Sequence, residues 1–238
     1  MKREGILDMQ KNMYPLSVKQ WNPFVGCDFH CVYCLRSFQQ QLKRFSKCPQ
    51  CLSYEPHWHK DRLLQKMPKT RYMQFIFANS CADVSFAEPK DFCQQLEFIE
   101  SWKTRTFLIQ SKNPSYFKQF EGLLPENLII GTTIETDDFE ITSKISKAPK
   151  PLFRYQALRD LKHQPKMLTI EPVLKFHLDE MITYAKDINP TMIWLGYDSK
   201  NCKLPEPSRQ EVMALHWHLS RLGIPVFLKT IRKAWWEK

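Results

Sequence analysis

Three cysteines on one short stretch carry the first chemical signal in this 238-residue chain. Cys27, Cys31 and Cys34 fall within Trp21-Asn22-Pro23-Phe24-Val25-Gly26-Cys27-Asp28-Phe29-His30-Cys31-Val32-Tyr33-Cys34, a C-x3-C-x2-C spacing. A fully ligated [4Fe-4S] cluster takes four cysteine thiolates. Three on one loop reach three corners and leave one iron with an open position. A second set follows as Cys48-Pro49-Gln50-Cys51, then His57 and His59. Thiolates and imidazoles are ligands of tetrahedral zinc, so Cys48, Cys51, His57 and His59 form a candidate zinc site. A metal-free C-x2-C hairpin with solvent-exposed histidines fits the same spacing. A four-cysteine zinc ribbon built from Cys31/Cys34 and Cys48/Cys51 is the competing pairing. It leaves Cys27 and Tyr33 without a role.

Such loops need a frame, and the hydrophobic pattern supplies one. Apolar runs predict strands at 18–24, 72–78, 106–110, 127–134, 167–170, 191–197 and 224–228. Helical spacing recurs at 35–45, 88–102, from Pro114 to near Gly122, and at 151–162, 177–188 and 208–222. The segment at about 46–70 breaks the alternation and reads as a Cys/His-containing insertion, and 136–150 reads as a polar, Lys-rich connection. Repeated βα units imply parallel strands with right-handed crossovers, hence an α/β barrel in a single domain over 1–238. Chemistry in such barrels gathers at the C-terminal strand ends. Here those ends read Asn79-Ser80-Cys81-Ala82-Asp83, Ser111-Lys112-Asn113, Thr132-Thr133-Ile134-Glu135, Glu171-Pro172, Asp198-Ser199-Lys200 and Lys229-Thr230.

The formal net charge of +10 points to a phosphate-bearing partner, since neutralised phosphates release counterions. A merely solvating charge is the alternative. The C-terminal run Lys229–Lys238 interleaves cations with Trp235 and Trp236, a combination used by single-strand binders, with Arg232 and Lys233 facing the polyanion. Packing of the two indoles against the barrel is the other reading. No apolar run is long enough to span a bilayer and the N-terminus lacks a signal-peptide core, so the chain reads as cytoplasmic. In that compartment eight cysteines suggest metal or redox chemistry more than disulfides.

The cysteine loop, with Tyr33 just before its last cysteine, resembles that of radical S-adenosylmethionine (SAM) enzymes. The likeness extends to Trp21-Asn22-Pro23, Ser111-Lys112-Asn113-Pro114, Leu128–Glu135, Thr169-Ile170-Glu171-Pro172 and Pro225–Lys229. Over most of 20–230 the pattern is similar to the phage and archaeal three-Cys-motif group, DUF5131. The resemblance implies a partial (β/α)6-type radical SAM barrel with mainly parallel strands. It implies a [4Fe-4S] cluster on Cys27, Cys31 and Cys34, with SAM on the open iron. Reductive cleavage of SAM would yield a 5′-deoxyadenosyl radical acting on a nucleic acid or nucleotide, single-stranded or with a flipped base, with an electron donor as partner. Asn79-Ser80-Cys81 stands where many relatives have a glycine-rich turn.

The needs of SAM then assign expected roles. Asn79, Ser80 or Asp83 would accept from its amino group, and Lys112 would pair with its carboxylate. Glu135, helped by Thr133, would accept from the ribose hydroxyls. Tyr33, the stretch from Ile170 through Glu171 to Pro172, and Leu195-Gly196 would wall the adenine. A structural ion pair of Glu171 with Lys112 or Lys229 is the alternative for that carboxylate. For the chain as a whole, a zinc-stabilised module that binds nucleic acid or protein without catalysis stands beside the enzyme.

Overall fold

The computed structural model describes residues 14–34 and 46–238. The helix expected over 35–45 lies outside the described residues. Strand β1 (Ser17–Trp21) is followed by the two-residue strand β2 (Phe24–Val25), which pairs antiparallel with β3 (His57–Trp58). The later apolar runs become β4 (Phe75–Ala78), β5 (Phe107–Gln110), β6 (Leu128–Thr133), β7 (Lys166–Ile170), β8 (Met192–Leu195) and β9 (Val226–Leu228). Seven strands form one sheet in the order β1-β4-β5-β6-β7-β8-β9, every neighbouring pair parallel. The sheet curls without pairing its two edges, giving a half-barrel with six crossovers. This is the partial (β/α) barrel expected.

The expected first strand, 18–24, is instead cut in two. Pro23 brings no N–H to a ladder, and the carbonyl of Asn22 turns aside to accept from Arg62 Nη1 at 2.6 Å. Beyond this break the chain joins the insertion, through β2 and β3, rather than the main sheet.

Helices α1 (Pro49–Ser53), α2 (Pro89–Ser101), α3 (Phe139–Ser143), α4 (Pro151–Asp160), α5 (Leu178–Ile188) and α6 (Arg209–Ser220) fill the connections. Proline opens α1, α2 and α4, where its missing N–H costs nothing and its fixed φ suits the first turn. The segment from Pro114 is a 3-10 helix, Pro114–Leu123. Helix α3 interrupts the connection at 136–150, started by Asp138, whose carboxylate accepts from Glu140 N at 2.7 Å. Among the described residues no helix is long and apolar enough to cross a membrane.

Strand side chains alternate between two layers. One set, including Ile76, Ile109, Ile130, Leu168 and Ile193, packs under the helices with Phe92, Leu96, Leu158, Met181 and Leu215. The other set, Phe75, Phe77, Leu108, Ile129, Met167, Met192 and Trp194, fills the barrel interior around Tyr14. Further along each strand the inward face turns polar, at Gln110, Thr133 and Thr169, and two residues beyond these it carries Lys112, Glu135 and Glu171. Glycines make room for the long members of this layer. A Cβ at Gly131 would meet Gln110 Cγ at 2.8 Å, and one at Gly196 would meet Lys229 Cβ at 3.0 Å.

Candidate functional site

The cysteine loop sits at the C-terminal mouth of the half-barrel, held on both flanks by backbone. Gly26 donates to the Cys81 carbonyl at 3.1 Å and accepts from Asp83 N at 3.2 Å, fixing the entry of the loop to the turn after β4. On the far side Val32 N donates to Ile145 O at 2.9 Å and Lys147 N to Phe29 O at 2.7 Å. The Lys-rich connection is thereby laced to the loop. A helical turn carries Cys34 N onto Cys31 O at 2.9 Å.

The three thiols lie within electrostatic reach of one another. Burial pushes the Cys27 thiol up, with Asp83, Cys31 and Cys34 adding to the rise through their charge. Burial also pushes Cys34 up to about 12, with Cys31 and Cys81 contributing and a hydrogen bond from Tyr54 opposing. Tyr54, from the end of α1, is raised by burial and then by Cys34, Cys27, Cys81 and Cys31 together, so its hydroxyl stands among four sulfurs. Thiols crowded in this way are costly to ionise alone, and a polynuclear cation in their midst would offset that cost. Three thiolates are the donor type that an iron–sulfur cluster takes at three of its corners.

Beside the thiols lies a charged network. Lys112 Nζ approaches Cys31 Sγ at 3.4 Å and donates to the Tyr33 hydroxyl and to Glu135 Oε1. Tyr33 donates to the same carboxylate oxygen, and Arg154 Nη1 donates to Glu135 Oε2 at 2.7 Å. Burial by itself would raise the Glu135 pKa, but Arg154 and then Lys112 outweigh it and bring it down to about 2. Glu135 is thus a fully paired carboxylate, 1 % exposed. Ribose hydroxyls would have to compete with two cations for it.

The residues expected around the SAM amino group hydrogen-bond within the protein. Asn79, at φ +56°, accepts from Phe24 N at 3.2 Å and donates to Gln95 Oε1 at 2.9 Å. Ser80 Oγ donates to Asn22 Oδ1 at 3.0 Å, and Cys81 N joins the same oxygen at 3.1 Å. Asp83 takes four donors: Ser85 N at 3.0 Å, Ser85 Oγ at 2.8 Å, Ser111 Oγ at 2.6 Å and Lys112 N at 2.7 Å. Burial still leaves its carboxyl above the usual range.

On the opposite wall, Glu171 is paired with Lys229 at 2.7 Å. Burial raises its pKa and Lys229 lowers it. Gly196 links neighbouring segments through its backbone, accepting from Val173 N at 2.8 Å and donating to Ile170 O at 3.1 Å. Thr133 is half-buried, and its carbonyl accepts from Arg154 Nη1 at 2.6 Å. Sequence reasoning missed the polar floor below them. Tyr14 Oη donates to Gln110 Oε1 at 2.7 Å and lies 3.1 Å from Thr169 Oγ1, to which Gln110 Nε2 donates at 2.8 Å. It also missed Arg154, Tyr54 and Ser146, whose hydroxyl lies 3.1 Å from Cys31 Sγ.

No protein-family model matches this sequence, and no curated protein matches it. Solved structures do. A spore photoproduct lyase mutant superposes with a TM-score of 0.63 at 12% identity, over 96% of this chain and 81% of that one. SuiB of Streptococcus suis bound to S-adenosylmethionine gives 0.57 at 10% identity, over 90% of this chain and 50% of SuiB. A radical SAM methyltransferase from Sphaerobacter thermophilus gives 0.58 at 10% identity, over 92% and 67%. The fold is that of radical SAM enzymes. At these identities the likeness is one of architecture, and this chain spans only half the length of SuiB.

The second cysteine pair belongs to the insertion that packs beside the cysteine loop. Cys48, Cys51, His57 and His59 bring their donor atoms within 4.8 Å of one another, a group capable of holding a metal ion. The C-terminal run follows the packed reading at its indoles, and Arg232 has its partner within the protein. Arg232 forms a two-nitrogen pair with the buried Glu206, at 2.8 and 2.6 Å, and also donates to Asp198 O. The indole N–H groups of Trp235 and Trp236 donate to Leu204 O at 2.6 Å and Glu206 O at 2.9 Å. The segment packs onto the loop after β8, and Arg232, its side chain 33 % exposed, is the counter-ion of the buried Glu206.

Proposed function

We propose that this chain is a radical SAM enzyme acting on a nucleic acid or nucleotide. The observation that carries the reading is the Cys27, Cys31 and Cys34 loop at the C-terminal mouth of a parallel half-barrel. When bound, a [4Fe-4S] cluster on those thiolates, with SAM, supplies one-electron cleavage of SAM to a carbon radical that takes hydrogen from the substrate. An electron donor is required as partner. The chain's own residues hold and orient. Lys112 sets its charge beside Cys31, Arg154 holds Glu135, which fixes Lys112, and Tyr54 supplies a hydroxyl to the sulfurs. Gln110, Thr169, Glu171 and Lys229 present polar groups across the barrel floor.

Two structural neighbours carry different ligands, one a dinucleoside spore photoproduct and one a precursor peptide. The net charge of +10 favours the polyanion. So does the connection laced to the cysteine loop, where Lys144, Lys147 and Lys150 are exposed. The resemblance to the DUF5131 group belongs to the same proposal.

The test is anaerobic reconstitution followed by iron and sulfide analysis and SAM titration. A brown protein with close to four irons per chain and saturable SAM binding is expected. A colourless protein that takes up zinc and no iron would instead support a non-catalytic binding module.

A further inference from the structure

We infer that Cys48, Cys51, His57 and His59 hold one zinc-class divalent ion, and that this ion sets the wall of the neighbouring cysteine loop. The first half rests on donor geometry. Tetrahedral zinc, with bonds of about 2.3 Å to sulfur and about 2.0 Å to nitrogen, separates a sulfur from a nitrogen ligand by roughly 3.5 Å. Here Cys48 Sγ lies 3.5 Å from His57 Nε2, Cys51 Sγ lies 3.4 Å from His57 Nε2 and 3.1 Å from His59 Nε2. Two thiolates and two imidazoles on one tetrahedron are the donor set of zinc. A two-iron centre with histidines on one iron and cysteines on the other would spread sulfur and nitrogen much further apart.

The support behind the ligands is in place as well. His57 Nδ1 lies 2.6 Å from the Glu55 carbonyl, an acceptor, so the proton sits on Nδ1 and the Nε2 lone pair faces the other three donors. A backbone carbonyl holding the far nitrogen is how metal-binding imidazoles are oriented.

That same carbonyl touches the cysteine loop. Gly26, the residue before Cys27, has φ +99°, and a Cβ on it would lie 2.3 Å from Glu55 O. The peptide that orients His57 therefore runs directly across the entry to Cys27. His57 also pairs with Val25 across β2 and β3, and His59 N donates to Pro23 O at 2.7 Å. Tyr54, three residues after Cys51, carries its hydroxyl into the thiol pocket. An insertion this small buries little apolar surface of its own, which is the situation in which a metal supplies the folding free energy.

The metal site is independent of the iron chemistry, whereas the importance of the wall for a reaction rests on the proposed function. The test uses the full chain without iron. Zinc is added, excess is removed by desalting, and zinc per chain is measured. Cobalt substitution is then read for the intense visible bands of a tetrahedral sulfur–nitrogen site. One ion per chain is expected in the parent and in the Cys27→Ala, Cys31→Ala, Cys34→Ala triple variant, and none in Cys48→Ser with Cys51→Ser. His59→Asn, which keeps three ligands, should fold and bind cobalt at least tenfold more weakly. A parent that retains no zinc, zinc lost with the triple variant, or undiminished binding in His59→Asn would overturn the site. Hydrogen exchange on the parent reads the wall. Chelation should raise exchange over 24–28 and at Tyr54 while leaving 128–133 unchanged. Equal protection with and without zinc would overturn that half alone, and neither result depends on whether iron or SAM binds.

Discussion

Lys112 stands between Glu135 and Cys31, donating to the carboxylate and lying 3.4 Å from the sulfur. With Arg154 on the other carboxylate oxygen, the group of three carries one surplus positive charge next to the thiols. Lys112 thereby sets a cation beside a sulfur offered as a metal ligand.

Glu135→Gln should therefore damage the fold before it touches a ligand. It would leave Lys112 and Arg154 buried without their counter-ion, a change of about 3–5 kcal/mol when a buried pair is broken. Urea denaturation at neutral pH measures it. Because the folded pKa is depressed to about 2, the carboxylate's contribution, roughly 3 kcal/mol, is fully present above the ordinary carboxylate pKa. It is lost as pH falls from there through about 2, and the variant should lack this loss. Wild-type stability in Glu135→Gln would show that the pairing has no energetic weight.

Alanine at Cys27, Cys31 or Cys34 should each abolish cluster assembly, since two thiolates leave the cube unsupported. Iron and sulfide per chain after reconstitution are the readout. A full complement in all three variants would remove the basis of the proposed function.

Tyr54→Phe should leave iron content intact and make the cluster harder to reduce. Its hydroxyl donates to Cys34, and hydrogen bonds to ligand sulfurs favour the reduced state. Loss of about 1 kcal/mol of such a bond corresponds to a fall of roughly 40 mV in a one-electron potential. An unshifted potential in electrochemical titration would return Tyr54 to a packing role.

The frame was legible because its strands are short, continuous apolar runs, and the parallel order follows from alternation with helices. The cysteine loop and the Cys48/Cys51/His57/His59 quartet were legible as spacing. Arg154 was not, because nothing local marks one arginine of α4 as the counter-ion of a strand-end glutamate until the crossover brings that helix behind β6. Tyr54 is brought in by α1, whose placement depends on the insertion folding back. Gln110 and Thr169 did leave a signal: stepping back two residues from Lys112 and Glu171 stays on the inward face of each strand. The break at Asn22-Pro23 was visible as a proline but was absorbed into the first strand.

The last prediction concerns the partner. Arg232 belongs to Glu206, so Arg232→Glu should lower stability by leaving that buried carboxylate without its partner and is a poor probe of binding. Lys144, Lys147 and Lys150 are exposed cations on the connection that Val32 and Lys147 tie to the cysteine loop. A phosphate backbone lying along them would bring unpaired bases to the barrel mouth, the form in which an enzyme reaches a base. Changing all three to Glu should weaken binding of single-stranded nucleic acid and leave the melting temperature nearly unchanged. Each cation lost removes about 0.7 from the slope of log affinity against log salt, so the triple change should reduce that slope by about 2. Fluorescence anisotropy at two salt concentrations decides it. If the parent binds neither DNA nor RNA at low salt, the charge is only solvating and the precursor-peptide kind of substrate becomes the better reading.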